Sequence, residues 1–283
     1  AEAWRQLAAA GQVDLQAEQP ALRLIEANGR VVAVEAAREG RLERISARHF
    51  VLAAGVVETT RLLLASQAPS WPRGLGNAHD LVGRFLHAHP RLRAQVPRTG
   101  WHRDLVTAVR SLAFCDGLRS EGLLAACLDV NLLGKEAALD FTLESEPSPV
   151  NRIRLDPSRL DAWGRPAVHL ECHATDLDRR TMARSCALAE RLRPWIFDTA
   201  ATLGPPFVTW FHPAGSCRMG LGPEDGVVDR DGRVFGLENL HLVGAATFPT
   251  SGALNPTLTV VALALRLADR LSGANRREPG VEP

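Results

Sequence analysis

The sequence lacks several features that point to common classes of function. Its 33 basic and 32 acidic residues nearly cancel, and Lys135 is the single lysine. A net charge of +1 gives no overall field that favours nucleic acid, a membrane surface or an acidic substrate. The five cysteines are odd in number and form no Cys-x-x-Cys pair, and no histidine spacing is typical of a metal site. We therefore expect neither a disulfide framework nor a bound metal.

Long apolar segments are also missing. The longest candidate, Leu258 to Leu267, is interrupted by Thr259 and Arg266 and falls short of the ~18–20 residues that cross a bilayer. No signal-peptide pattern is present, so the sequence predicts a cytoplasmic protein. Because the chain begins at Ala1 and not at a methionine, we expect its natural start to lie upstream.

The glycine-rich fingerprint of dinucleotide-binding domains is absent as well. That fingerprint, G-x-G-x-x-G between a strand and a helix, holds a pyrophosphate. The nearest segment, Gly74-Leu75-Gly76-Asn77-Ala78-His79, ends in histidine and precedes no helical pattern. We interpret it as a loop. Neither a P-loop nor a zinc-protease helix is present.

The first third of the chain has the pattern of strands followed by a helix. Two extended runs, Ala21–Glu26 and Val31–Val34, flank Asn28-Gly29, which is a strong hairpin signal. A further run, His49–Ala53, is followed by a glycine and then by helical spacing over Val57–Ser66. A strand, a glycine turn and a helix form half of a nucleotide-binding crossover unit.

The rest of the chain contains fewer clear elements. A helix is predicted near Thr175–Leu192, and short strands at Gly226–Val228 and Leu240–Val243. The chain closes with an apolar helix to about Leu271. The Asn-Pro pair before it suggests that Asn255 is the N-cap and that Pro256 is the first helical residue.

Two stretches resemble the glucose–methanol–choline (GMC) oxidoreductase family. The first is Val51-Leu52-Ala53-Ala54-Gly55-Val56-Val57-Glu58-Thr59-Thr60-Arg61-Leu62-Leu63-Leu64, followed by Val82-Gly83-Arg84 and His89-Pro90. The second begins at His212-Pro213-Ala214-Gly215-Ser216-Cys217-Arg218-Met219-Gly220 and continues through Gly226–Asp229, Arg233–Gly236, Asn239–Thr250 and Asn255–Thr259. The order and spacing of this second block make a chance match negligible, whereas a lone glycine motif would be weak.

The resemblance implies a mixed α/β (α+β) fold in two parts. Residues 1–85 and 212–273 are expected to form a remnant of a Rossmann-like FAD-binding domain. Residues 86–211 are expected to form a substrate-binding domain on an antiparallel sheet, and residues 274–283 a flexible tail. Family members carry the glycine fingerprint upstream of where this sequence starts. We therefore interpret the chain as a carboxy-terminal half, with the amino-terminal half upstream, on another polypeptide, or lost.

The resemblance also implies oxidation of an alcohol or sugar by FAD. In such a reaction a base removes the hydroxyl proton while the flavin accepts a hydride at N5, and a neutral imidazole suits the base role. The resemblance places this base at His212 and a second hydrogen-bonding group at Asn255. From composition alone, His212 is better explained as a structural histidine that is held extended before Pro213.

The residues expected to contact FAD follow the two strands and begin the last helix. They are Ala54, Gly55, Gly244, Ala245, Asn255, Pro256 and Thr257. The N-terminal end of that helix would face the flavin pyrimidine, where N–H groups stabilise negative charge. Gly244 stands where many family members have Asp, so only backbone contact is expected there.

The resemblance leaves the electron acceptor and two other functions open. Glu58-Thr59-Thr60-Arg61 resembles the bacterial dehydrogenase branch, which favours a quinone or a carrier over oxygen. The first alternative function is a non-catalytic orphan half or partner-dependent subunit. The second is a flavoprotein that cleaves hydroxynitriles without net oxidation. Flavin absorbance tests the first alternative, and net reduction of the flavin by an alcohol tests the second.

Overall fold

The computed structural model describes residues 2–97, 108–113, 115–132, 136–196, 207–208 and 212–273. Its helices are α1 (Glu2–Ala9), α2 (Gly55–Ala65), α3 (Cys115–Ser120), α4 (Asp176–Ile196) and α5 (Thr257–Ser272). Its strands are β1 (Ala21–Ala27), β2 (Arg30–Arg38), β3 (Arg41–Ile45), β4 (Phe50–Leu52), β5 (Pro90–Pro97), β6 (Ala108–Ser111), β7 (Ala126–Asn131), β8 (Glu136–Leu143), β9 (Arg152–Leu160), β10 (Pro166–Glu171), β11 (Phe207–Val208) and β12 (Leu240–Leu242). None of the helices in these ranges is both long and apolar enough to span a membrane.

A hairpin and a parallel strand pair frame the first core. β1, β2 and β3 form an antiparallel sheet, and the predicted turn is present, with φ of 53° at Asn28 and 77° at Gly29. β4 pairs in parallel with β12, far along the chain. The apolar residues of α2, such as Leu62 and Leu63, pack with those of both strand groups. The predicted strand–glycine–helix unit is thereby confirmed, and its parallel partner comes from the carboxy-terminal block.

A second core lies under a five-stranded antiparallel sheet in the order β11-β5-β8-β7-β6. Leu92, Leu139 and Phe141 are buried there with Ala189 from α4, which packs behind the sheet. An antiparallel sheet with a helix behind it is the arrangement that the sequence predicts for residues 86–211. The mixed α/β fold class is therefore correct.

The hairpin of β9 and β10 does not pack with that second core. Ile153 is fully buried in the first core, and α2 contacts both strands of the hairpin. Gly83 and Ile153 are joined by a backbone hydrogen bond of 2.9 Å. The boundaries at residues 85 and 211 stay a prediction, since this part of the middle segment packs with the segments around it.

Several local predictions were wrong. The polar run at Arg38–Glu43 was not predicted to be a strand, yet it contributes to β3, which pairs with β2. The helix α1 was not predicted, and none of its residues is buried. The strand predicted at Gly226–Val228 is only an isolated bridge at Val228. The predicted tail, residues 274–283, lies outside the described residues.

Asn239 joins the amino-terminal hairpin to the carboxy-terminal block. Its Oδ1 accepts the Val31 N–H at 2.9 Å, and its Nδ2 donates to the carbonyls of Val31 at 2.8 Å and Arg48 at 3.1 Å. The side chain is 2% exposed, so water cannot replace these bonds. The amide side chain therefore bonds to the backbone as a neighbouring strand would, and it links segments about 200 positions apart.

We expect Asn239→Ala to lower the free energy of unfolding by about 2 kcal/mol, because two buried backbone groups of Val31 and the carbonyl of Arg48 lose their partner. Urea unfolding of the protein measures this loss. Gln16→Ala is the matched control: it removes an exposed amide that bonds to Asp14, and it should change stability by less than about 0.5 kcal/mol. Equal midpoints for Asn239→Ala and the unsubstituted protein would contradict this role.

Candidate active site

His212 is held in place by a short antiparallel contact with the segment before β5. His87 and Ala214 exchange two backbone hydrogen bonds, at 3.1 and 2.8 Å. This register puts His89 opposite His212, since both lie two residues away from the bonded pair. The two imidazoles meet edge to face, and their Nδ1 atoms are 3.4 Å apart.

Gly215 allows the two backbone segments, around His87 and Ala214, to approach closely. A Cβ at Gly215 would lie 2.1 Å from the carbonyl oxygen of Phe85, and its φ is 78°. Only glycine fits both the space and the conformation. The Gly215 N–H also donates to the carbonyl of Ala245 at 3.0 Å. The segment that carries His212 is therefore joined directly to the end of β12.

His212 does not have the extended conformation expected for a residue before proline. Its φ is 56°, in the left-handed region that non-glycine residues rarely adopt. The pairing of His87 with Ala214 and the close approach at Gly215 hold the chain there. Backbone strain of this kind costs about 1–3 kcal/mol and clusters at functional sites.

Asn255 lies beside His212 and does not cap the last helix. Its Nδ2 is 3.3 Å from Nε2 of His212, and its Oδ1 accepts a hydrogen bond of 3.0 Å from Nη1 of Arg110. The helix α5 begins at Thr257, with Pro256 as an N-cap that makes no side-chain bond. The prediction that Asn255 caps this helix was therefore wrong, because its amide is engaged by two side chains in the cavity. Pro256, predicted as the first helical residue, has helical φ and ψ of −81° and −8°, and its carbonyl accepts the Val260 N–H at 3.0 Å.

A cavity of about 220 Å³ opens at this pair. It is lined by His89, Arg91, Arg110, Asp129, Thr142, His212 and Asn255. Arg110 and Asp129 face each other across β6 and β7, and Arg91 and Thr142 across β5 and β8. These four residues were not predicted from the sequence. Only the register of the five-stranded sheet brings them to the cavity, so no local motif could have revealed them.

The cavity favours the neutral form of both histidines. Burial lowers the pKa of His212, and the charges of Arg110 and Arg91 lower it further. Burial, together with the charges of His212 and His87, lowers the pKa of His89 to about 4. Both imidazoles are therefore uncharged near pH 7, the state in which His212 can accept a proton.

The parallel strands β4 and β12 end at two stretches of accessible backbone. β4 is followed by the exposed Ala54 and Gly55, and β12 by Gly244 and Ala245 at the start of a 3₁₀ turn. Gly244 has φ of 128°, and a Cβ there would meet no atom within 4 Å. Ligands of parallel sheets bind outside the carboxyl ends of the strands, and this end offers open backbone.

Two known family models match the parts of the chain that carry the candidate site. Residues 196–264 match a family model described as GMC oxidoreductase, and residues 2–95 match one described as FAD binding domain. The chain belongs to the GMC oxidoreductase family. Within it, His212, Gly244 and Asn255 all fall in the carboxy-terminal match.

Individual GMC relatives cover most of the chain. It is 30% identical to the fructose dehydrogenase large subunit of Gluconobacter japonicus, over 81% of this chain and 48% of that protein. It is 29% identical to the 2-methyl-1,2-propanediol dehydrogenase of Mycolicibacterium austroafricanum, over 83% of this chain and 50% of that protein. The chain therefore spans about half the length of the curated relatives that it matches.

Solved structures show the same fold. The pyridoxine 4-oxidase of Mesorbium loti superposes with a TM-score of 0.70 at 19% identity, over 92% of this chain and 58% of that one. This likeness supports the GMC fold of the described residues. At this identity it carries no statement about substrate.

The residues of this GMC chain fit one end of FAD. Gly244 and Ala245 provide open backbone, Gly55 begins α2 at the same strand end, and the exposed Asn255 and Thr257 stand at the start of α5. The sequence contains no G-x-G-x-x-G for the pyrophosphate. The contacts predicted at the flavin end are thus sterically possible, and they stay predictions.

Proposed function

We propose that this chain supplies the substrate cavity and catalytic base of an FAD-dependent oxidoreductase that acts on CH–OH groups. The observation that carries this proposal is the pairing of a neutral His212 with Asn255, 3.3 Å apart, in one cavity. General bases must lie within hydrogen-bond reach of the proton that they remove, and both side chains line one cavity, where a single small hydroxyl oxygen can lie within reach of both.

Bound FAD would supply the acceptor for the hydride that leaves the carbon. The chain's own residues manage the proton. Nε2 of His212 accepts it from the substrate hydroxyl, and Nδ2 of Asn255 donates a hydrogen bond to the oxygen on which negative charge develops. Burial, together with the charges of Arg110 and Arg91, lowers the pKa of His212 and so favours the unprotonated base.

The cavity walls favour a polar substrate, an alcohol or a sugar. Arg91, Asp129 and Thr142 present charged and hydroxyl groups to the same space as His212. Such side chains hydrogen-bond to neighbouring hydroxyls, which an apolar substrate lacks. Two of the relatives are named for a polyhydroxylated sugar and a diol, fructose and 2-methyl-1,2-propanediol, and this supports the same class here.

The remainder of the FAD-binding domain is proposed to come from polypeptide outside these 283 residues, in the same protein or in a partner subunit. The exposed face of α5 carries Leu258, Val261 and Leu265, at 81%, 48% and 62% exposure, and Val51 of β4 is 46% exposed. An exposed apolar surface of this kind favours contact with a further domain that would cover it. A quinone or a carrier protein is proposed as the electron acceptor.

The test uses the complete protein that contains this chain, with its flavin. We expect alcohols or sugars, mixed with it anaerobically, to bleach the oxidised flavin band. A purified protein without flavin would contradict the proposal in favour of a non-catalytic half. Cleavage of a hydroxynitrile with no net change in the flavin would contradict it in favour of a lyase.

A further inference from the structure

Arg110 makes the contact that determines how Asn255 is oriented. Its Nε and Nη2 donate to the two carboxylate oxygens of Asp129, at 2.6 and 3.3 Å. Residues 110 and 129 are also direct partners across β6 and β7. The planar guanidinium is therefore held by a two-point contact, and Nη1 is left to donate to Asn255 at 3.0 Å.

The chemistry of the two groups fixes the direction of the amide. A guanidinium has donors only, so the atom of Asn255 that faces Arg110 must be the oxygen. The nitrogen, Nδ2, then faces Nε2 of His212 at 3.3 Å. An amide nitrogen can only donate, so Nε2 of His212 must carry its lone pair. Without Arg110, both amide orientations would be open to Asn255.

The opposite side of the ring is consistent with this assignment. A neutral His212 with a free Nε2 carries its proton on Nδ1, which is 3.4 Å from Nδ1 of His89. The donors and acceptors thus run in one direction, from Arg110 through Asn255 to Nε2 of His212. Second partners commonly determine which ring nitrogen of a histidine carries the proton.

We propose that Arg110 is a positioning residue: through Asn255 it holds His212 in the tautomer whose Nε2 carries no proton and can accept the proton of the substrate. Its catalytic consequence rests on the function proposed above. If Arg110 is lost, the amide can rotate and present Oδ1 to His212. That orientation favours a proton on Nε2, and the base then has no lone pair for the hydroxyl.

The positive charge of Arg110 also affects His212, because, in addition to burial, it lowers the pKa of the imidazole. The titratable groups that line the cavity with His212 are His89, Arg91, Arg110 and Asp129. Removing the guanidinium takes away a positive charge and leaves Asp129 without its ion pair. Both changes favour the imidazolium, so the pKa of His212 should rise.

The test compares Arg110→Met and Arg110→Lys in the complete flavoprotein, with histidine ring nitrogens labelled by ¹⁵N. His212 is assigned from the signals that disappear in His212→Gln. We expect a pyridine-type Nε2 in the unsubstituted protein and in Arg110→Lys, which keeps a donor and the charge. In Arg110→Met we expect Nε2 to become protonated, because the amide is no longer held in one orientation.

Kinetics provide the second readout. Arg110→Met should slow flavin reduction by about 10- to 100-fold and move its pH dependence to higher pH, with Arg110→Lys recovering most of both. Arg184→Met is the control: it breaks an equally bidentate pair, with Glu121 at 2.8 Å, on the surface of α4. It should leave both readouts unchanged.

The outcomes separate this inference from the proposed function. A pyridine-type Nε2 in Arg110→Met, or identical spectra for the Met and Lys variants, would overturn the positioning role even if alcohols reduce the flavin. The expected nitrogen shifts would support the role even if no alcohol reduces the flavin, and in that case the proposed function alone fails.

Discussion

His212→Ala, made in the complete flavoprotein, is expected to slow reduction of the flavin by an alcohol by about 10²–10⁴-fold, the range for a lost general base. The other groups that line the cavity are poor replacements, and the carboxylate of Asp129 is already paired with Arg110. His89 is the nearest imidazole, but it is 1% exposed and its pKa of about 4 makes it a weak base. Asn255 and Arg110 cannot accept a proton near pH 7.

The flavin content of His212→Ala should be unchanged, because the imidazole is not predicted to anchor the cofactor. Stopped-flow absorbance measures the reduction rate, and the visible spectrum measures the flavin. His169→Ala is the control, since this exposed histidine of β10 lies outside the cavity. An unchanged reduction rate would show that His212 is structural, with its left-handed φ serving only the turn before Pro213.

The second large effect concerns the 283-residue chain expressed alone, which is expected not to retain FAD. The pyrophosphate carries most of the cofactor's charge and is normally held by a glycine-rich turn and a helix N-terminus. The sequence has no such turn. What it provides is open backbone at Gly244 and the start of α5, which are predicted to contact the isoalloxazine end alone.

The measurement is the visible spectrum of the purified chain, with the complete protein as the matched control. We expect a stoichiometric flavin band in the complete protein and none in the 283-residue chain. We also expect the chain to self-associate, because Leu258 and Leu265 are exposed on α5. A soluble monomer with one flavin per chain would show that the cofactor is held by some other route.

The pair of His212 and Asn255 shows which features of the site could be predicted from the sequence alone. His212 and Asn255 were predicted from the carboxy-terminal block, and the structure brings them to 3.3 Å in one cavity. The interpretation of Asn255 as a helix cap was wrong, because local pattern cannot show that Arg110, 145 residues away, donates to its side chain. The roles of both residues in catalysis stay predictions until the kinetics are measured.

The sequence by itself determined the elements whose signals are local. The turn at Asn28-Gly29 requires positive φ at both residues, and the helix after Gly55 follows from apolar spacing, so both were predictable. The family and the mixed α/β class were likewise predictable, from the two stretches that resemble the GMC family.

Only the tertiary structure decided what surrounds the base. His89 meets His212 through a register set by His87 and Ala214, and Arg110 meets Asn255 through the pairing of β6 with β7. Such contacts depend on which strands pair and in what register. The pairing and the register depend on how many apolar side chains the two cores bury in total. No single segment of the sequence encodes that total.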